Sequence, residues 1–182
     1  QLRISDEEVM ILFVGSGFER KGLEYLIKSI QYIKQENWRL VLVGKGKWKR
    51  YLDFSSKENR RKITYLGPVD GIEKLYVAAD FFILPSIYEP FGNANLEALA
   101  SGLPIITSRN CGAAEIITPQ KEGIILDEPS DSKAMAKAID YLMDSKTREP
   151  MRQSARLLAE KFTQERNAYE MLQVYQELIE HQ

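Results

Sequence analysis

A chain of 182 residues with 44% apolar content carries enough material to bury one core, which excludes a disordered tail and fits a single domain. Its 25 basic and 26 acidic side chains leave a formal net charge of −1, so no general attraction to nucleic acid or anionic lipid is expected and any anion site must be local. A single cysteine, Cys111, excludes an internal disulfide, no apolar run approaches the ~20 residues of a membrane-spanning helix, and no signal-peptide core is evident, so a cytoplasmic chain is expected.

In chain order, Val9–Val14 is an unbroken apolar run that stops at Gly15, as in a strand covered on both faces. Leu23, Leu26, Ile27, Ile30 and Ile33 follow at helical spacing, and residues 40–43 form a second apolar run stopped by Gly44. Strand, helix and strand in that order predict a crossover unit. The alternation continues with a strand over 63–66, a short helix around Ile72, Leu75 and Tyr76, and a strand over Phe81–Leu84. A helix over 94–101 closes at Gly102, Pro104 opens a strand over 105–107, and Gly123–Leu126 supplies a sixth strand. Beyond Asp131 the pattern is wholly helical, with Ala134, Ile139 and Leu142 on one stripe, Leu157 and Leu158 on a second, and Ala168, Leu172, Tyr175 and Ile179 on a third. The expected fold is α/β: a doubly wound open parallel sheet of about six strands with C-terminal helices, one domain over residues 1–182.

In such sheets ligands bind beyond the carboxyl ends of the strands, so the loops there are read for chemistry. After the first strand stands Gly15-Ser16-Gly17-Phe18-Glu19-Arg20-Lys21-Gly22, where glycines admit a close ligand and Arg20 and Lys21 open a helix whose amides favour phosphate. After the second strand Lys45, Lys47, Lys49 and Arg50 crowd the neighbouring loop, and two basic loops side by side suggest a diphosphate; the plainer reading is solvated lysines. The first loop half matches the dinucleotide fingerprint, but Arg20 replaces its last glycine and no acid ends the second strand. NAD is therefore disfavoured, and NADP stays open. The loop after Leu84 places Glu89 in irregular chain and Glu97 eight positions on, in the first turns of a helix, beside the amides of Gly92, Asn93, Ala94 and Asn95. Carboxylates accept from sugar hydroxyls and amides suit phosphate oxygens, and a nucleotide sugar offers both. An ordinary exposed carboxylate pair is the alternative.

Residues 89–104, E-P-F-G-N-A-N-L-E-A-L-A-S-G-L-P, resemble the E-x7-E signature of retaining glycosyltransferases of the GT-B fold, in the large family 4 (group 1). The likeness runs from the G-S-G-F-E-R-K-G loop to the last helix and covers the family's C-terminal, donor-binding half. Within the family the chain is most similar to the lipopolysaccharide core glucosyltransferases, which share the R-K-G loop and a Cys-Gly pair like Cys111-Gly112.

The resemblance implies roles. Glu97 would hold the ribose hydroxyls and Glu89 the donor-sugar hydroxyls, while Arg20, Lys21 and one of Lys45, Lys47 or Lys49 hold the diphosphate. Arg20, Lys21 and Glu89 would act at the reacting bond. Gly15, Ser16 and Gly17, with Phe91 and the amides of Gly92, Asn93, Ala94 and Asn95, would complete the donor cradle, and the base would lie near Leu66 and Val69. Many members have arginine where Ser16 stands, and Cys111-Gly112 replaces the usual Gly-Gly ahead of Glu115.

The sequence holds no Asp-x-Asp, so a metal-independent site without cofactor is expected, Arg20 and the lysines neutralising the departing diphosphate. A UDP-sugar is the first expectation, UDP-glucose foremost, with GDP-sugars next. His181 reads as a frayed tail and Cys111 as structural. Trp48 reads as an exposed hydrophobe left facing a missing domain or as a surface anchor, and the pairs Tyr169 with Leu172 and Tyr175 with Ile179 as core contacts. Because the chain begins at Gln1, a preceding N-terminal domain is expected to supply the lipid or glycan acceptor site, and any peripheral membrane contact. This half alone is expected to bind donor without transferring it. The competing readings are a non-catalytic nucleotide or NADP-binding module and, within the same fold, a phosphorylase or epimerase.

Overall fold

The computed structural model describes residues 4, 5 and 7–180, so His181 lies outside the described residues. The strands are Val9–Val14 (β1), Trp38–Val43 (β2), Ile63–Gly67 (β3), Phe81–Leu84 (β4), Ile105–Ser108 (β5) and Gly123–Leu126 (β6). All pair in parallel, in the order β3-β2-β1-β4-β5-β6. The apolar runs make the central strands because both faces are covered: Leu12, Phe13, Leu40, Leu42, Phe81, Phe82 and Ile83 have no exposed surface.

The helices are Leu23–Ser29 (α1), Lys57–Arg61 (α2), Glu73–Ala78 (α3), Asn93–Ala100 (α4), Ser132–Met143 (α5), Ser145–Ala159 (α6) and Gln164–Glu180 (α7). Helix α1 packs against α5, and α4 against α6. The start of α5 is set by Asp131, whose carboxylate accepts from the amides of Lys133 and Ala134 at 3.1 and 2.9 Å, and Asp144 caps α6 through the Lys146 amide at 3.0 Å. Strand order reverses between β1 and β4, so the loops that follow these two strands flank a crevice at the carboxyl edge. No described helix is long and apolar enough to cross a membrane.

The expected elements form with small shifts. Strand β2 starts at Trp38 rather than 40, because the Trp38 ring is buried and pairs in register with Val9. The loop read as merely basic coils into a 3-10 turn over Trp48–Phe54 and leads on to α2. Two readings are corrected. Leu157 is exposed, whereas Leu158 is half-buried against the core; α6, which packs on α4, buries Arg148, Met151, Ala155 and Ala159. Tyr169, Leu172, Tyr175 and Ile179 make no core: all four are exposed, and α7 buries no residue.

Candidate functional site

The loop after β1 is wound tight by its own backbone. The amides of Lys21, Gly22 and Leu23 donate to the carbonyls of Gly17, Glu19 and Phe18 at 3.2, 3.0 and 3.0 Å. Those three amides are spent on the turn itself, which leads directly into the seven-residue α1. Phe18 plugs the loop from below, edge-on to Phe13 and Tyr65 with ring centroids 6.0 and 6.2 Å away. The two basic loops do lie side by side: Lys45 donates its amide to the Ser16 hydroxyl at 3.1 Å, Gly17 donates to the Lys45 carbonyl at 3.4 Å, and Arg50 pairs with Glu19 at 2.8 Å. Lys45, Lys47 and Lys49 are exposed on this rim. Trp48 is not a bare hydrophobe, because it is half-buried and stacks on Tyr65 at 5.1 Å. Leu66, near the end of β3, and Val69, in the loop that follows it, are half-buried against the core.

Across the crevice, the loop after β4 holds Glu89 by its backbone. The Glu89 amide donates to the Asn110 carbonyl and its carbonyl accepts from the Gly112 amide, both at 3.1 Å, while the Ala113 amide donates to Phe91 at 3.0 Å. A Cβ on Gly112 would stand 2.1 Å from the Pro90 carbonyl oxygen, so a glycine is what lets the two chains run this close. The Glu89 side chain reaches back over the crevice, where Oε2 accepts from Arg20 at 2.6 Å and also from Lys21. Arg20 donates in addition to the Tyr88 carbonyl at 3.1 Å. Burial acts to raise the Glu89 pKa, but the Lys21 hydrogen bond and charge, with Arg20 added, outweigh it and hold the carboxyl below its ordinary range. Lys21 is itself buried, its stem lying along Gly15.

At the start of α4, Gly92 has φ +82° and a Cβ there would meet Asn95 Nδ2 at 2.9 Å and Cys111 Sγ at 3.0 Å. The Asn95 amide is spent on the Gly92 carbonyl at 2.8 Å, which leaves Gly92, Asn93 and Ala94 as the amides of the expected cradle. The Asn95 side chain is buried and donates to Cys111 Sγ at 3.2 Å, and Cys111 donates to the Phe91 carbonyl at 3.0 Å. Cys111 thus braces the loop that carries Glu89. Glu97 is exposed and accepts from the Tyr76 hydroxyl at 2.9 Å; burial first, then the Glu97 charge, push the Tyr76 pKa up, so the phenol remains a donor. Tyr76 is a partner that sequence reasoning does not assign, and Asn95 is assigned there only through its backbone amide. In the sequence Tyr76 reads as helix core, and only a tyrosine on a helix adjacent to the acidic one could signal its hydroxyl's use.

A groove of about 1060 Å³ lies on the other flank of α4, lined by Phe91, Asn93, Leu96 and Glu97 together with Arg156, Phe162 and Asn167. It shares Phe91, Asn93 and Glu97 with the expected donor site but does not include Glu89, Arg20 or Lys21, so the charged cluster is the better guide to chemistry. Among the described residues no three His, Cys, Asp or Glu side chains group as a metal site requires.

The profile of the family described as "Glycosyl transferases group 1" matches residues 1–158. The chain is 36% identical to an uncharacterized glycosyltransferase of Methanocaldococcus jannaschii over 97% of its own length and 47% of the relative's. It is 28% identical to the lipopolysaccharide glucosyltransferase WaaG of Escherichia coli over 82% of its length and 40% of that protein's. Among solved structures, the sucrose-phosphate synthase of Thermosynechococcus elongatus superposes with a TM-score of 0.86 at 29% identity, covering 100% of this chain and 48% of that one. The chain spans about half the length of the curated relatives it matches.

Proposed function

Because the chain belongs to the glycosyl transferases of group 1, we propose that it forms the donor half of a retaining hexosyltransferase that takes a nucleotide diphosphate sugar, UDP-glucose foremost, without a metal or other cofactor. The observation that carries this reading is the convergence, at the point where strand order reverses, of Arg20 and Lys21 on Glu89, with Glu97 on the helix that follows. Cations fixed at that point neutralise the charge that builds on a diphosphate as its bond to the sugar breaks, and preorganised charge of this kind usually contributes more to rate enhancement than any other single effect. Glu89 accepts from donor-sugar hydroxyls, Glu97 from ribose hydroxyls, and the amides of Gly92, Asn93 and Ala94 donate to phosphate oxygens. The base rests beside Leu66 and Val69. Lys45, Lys47 and Lys49 add positive potential at the rim. A crystal structure of a protein with the same fold, Anabaena HepE, is a complex with UDP-glucose, which supports the choice of donor to test first. A second domain would bring the acceptor, a lipid or glycan, and would carry any contact with a membrane surface; this half alone binds donor and transfers nothing.

Calorimetric titration of the chain with UDP-glucose, UDP, GDP-mannose and NADPH tests this. A uridine diphosphate sugar binds, the binding is lost in Glu97→Ala and Arg20→Ala, and the ligand at 100 times its Kd stabilises the fold by ~2.7 kcal/mol in a melting curve. Tight NADPH binding with silence toward the nucleotide sugars would overturn the donor reading.

A further inference from the structure

The two cations placed to meet a diphosphate already have an anion. Glu89 Oε2 accepts from both Arg20 and Lys21, and the side chains of Lys21 and Glu89 are only 11% and 13% exposed while Arg20 is 49% exposed. A pair so withdrawn from water is far less screened than a surface ion pair. The backbone of Glu89 is fixed by Asn110 and Gly112, so only its side chain can turn away. A diphosphate that approaches these cations therefore meets a carboxylate that both repels it and holds its donors. We propose that Glu89 is an internal competitor of the diphosphate for Arg20 and Lys21, so that the site discriminates an intact nucleotide sugar from the nucleoside diphosphate left after transfer. This rests on the donor-site reading above.

The discrimination follows from what the displaced carboxylate finds. When a nucleotide sugar enters, Glu89 gives up the two cations and takes hydrogen bonds from the sugar hydroxyls. When a nucleoside diphosphate enters without a sugar, the displaced carboxylate finds no such donors, and the exchange is less favourable. Product is held more weakly than substrate although both meet the same two cations.

The experiment titrates inorganic pyrophosphate, UDP and UDP-glucose into the chain and into Glu89→Gln, which keeps the side chain's shape and removes its charge. Pyrophosphate and UDP bind the variant about tenfold more tightly than the native chain, as expected for release of a charge-assisted hydrogen-bonded competitor. UDP-glucose gains less, so its preference over UDP narrows. An unchanged or weaker affinity for pyrophosphate in a variant that melts like the native chain overturns the proposal, and leaves the donor reading intact if UDP-glucose still binds. Tighter pyrophosphate binding with no nucleotide-sugar binding by either form sinks the donor reading and the discrimination proposed with it, leaving only a competition for the two cations. Silence toward pyrophosphate in both forms overturns the proposal, and the donor reading falls as well if UDP-glucose is not bound either. Should the variant not fold, the carboxyl carbon resonance of Glu89 in the native chain gives the answer. Arg20 and Lys21 face this group from the loop after β1, and the Cys111 thiol lies beneath the same loop. Pyrophosphate moves the carboxyl's titration midpoint up toward its ordinary range, and a midpoint that stays put overturns the proposal.

Discussion

Glu89 sets a pH dependence whose sign follows from its surroundings. Burial opposes its charge, yet Lys21 and Arg20 hold its carboxyl below the ordinary range, so the unfolded chain binds this proton more readily than the folded one. The stability it contributes is present above the ordinary carboxylate pKa of ~4.3 and is lost as pH falls through the lower, folded value. Urea midpoints measured from pH 6 downward should therefore fall more steeply for the native chain than for Glu89→Gln; parallel curves would mean that the pair does not form. At Gly112 the argument is steric. A Cβ would lie 2.1 Å from the Pro90 carbonyl oxygen, so Gly112→Ala must push the loop carrying Glu89 off its neighbour. We expect a loss of about 1–3 kcal/mol, as for overpacking in a core, read as a lower melting temperature. The E-x7-E spacing made Glu89 and Glu97 legible in the sequence, since it fixes one carboxylate before a helix and one within it. What it could not convey was partnership. Whether Arg20 and Lys21 stand free for a phosphate or close on Glu89 depends on which loops the strand order brings together, and Asn95, read as a backbone donor, turns its side chain inward to Cys111.

Between elements, one charged side chain joins three of them. Arg148, in the first turn of α6, is buried; its guanidinium donates to the carbonyls of Leu142 and Met143 at 2.7 and 3.1 Å and to Asp80 at 2.8 Å. Asp80 in turn accepts from the Met10 amide at 2.7 Å, so the end of α5, the start of α6 and the approaches to β1 and β4 are tied at one point. Arg148→Met strands two carbonyls and a partly buried carboxylate. Breaking a fully buried pair costs ~3–5 kcal/mol; with Asp80 28% exposed we expect about 2–3, measured by urea denaturation, and partial recovery on adding Asp80→Asn. In the sequence Arg148 sits among Lys146, Thr147 and Glu149 and looks solvated. The same helix misled in the other direction: of Leu157 and Leu158, which drew the stripe by size, only Leu158 packs on the core, while Ala155 and Ala159 are buried. Apolar runs located the central strands because a strand buried on both faces leaves an unambiguous pattern, and the half-buried edge strands β3 and β6 followed from the alternation of elements around them; a helix stripe built partly of alanines is one that periodicity of large apolar residues does not report.

For the molecule as a whole, the sheet and α1 to α6 form a body that is held together without α7. The 17-residue α7 buries no side chain, and Met171, Leu172, Tyr175, Leu178 and Ile179 are all more than 40% exposed along it. The Ala168, Leu172, Tyr175, Ile179 spacing was readable as an amphipathic helix; the surface it would lie against was not, because a periodic stripe states that a face wants cover and not which element covers it. Helices of this length gain most of their stability from tertiary packing and are marginal without it. Two consequences follow for this chain by itself. A version ending at Thr163 should keep its unfolding free energy, read from urea denaturation, to within about 1 kcal/mol of the full chain, since the removed side chains leave little buried surface behind. In the full chain, α7 amides should exchange with solvent through local opening, far faster than those of β1 and β4, which open only when the whole sheet unfolds. Amides of α7 as well protected as those of β1 in the monomeric chain would show that its apolar stripe is packed after all, and the truncated chain would then lose stability in proportion.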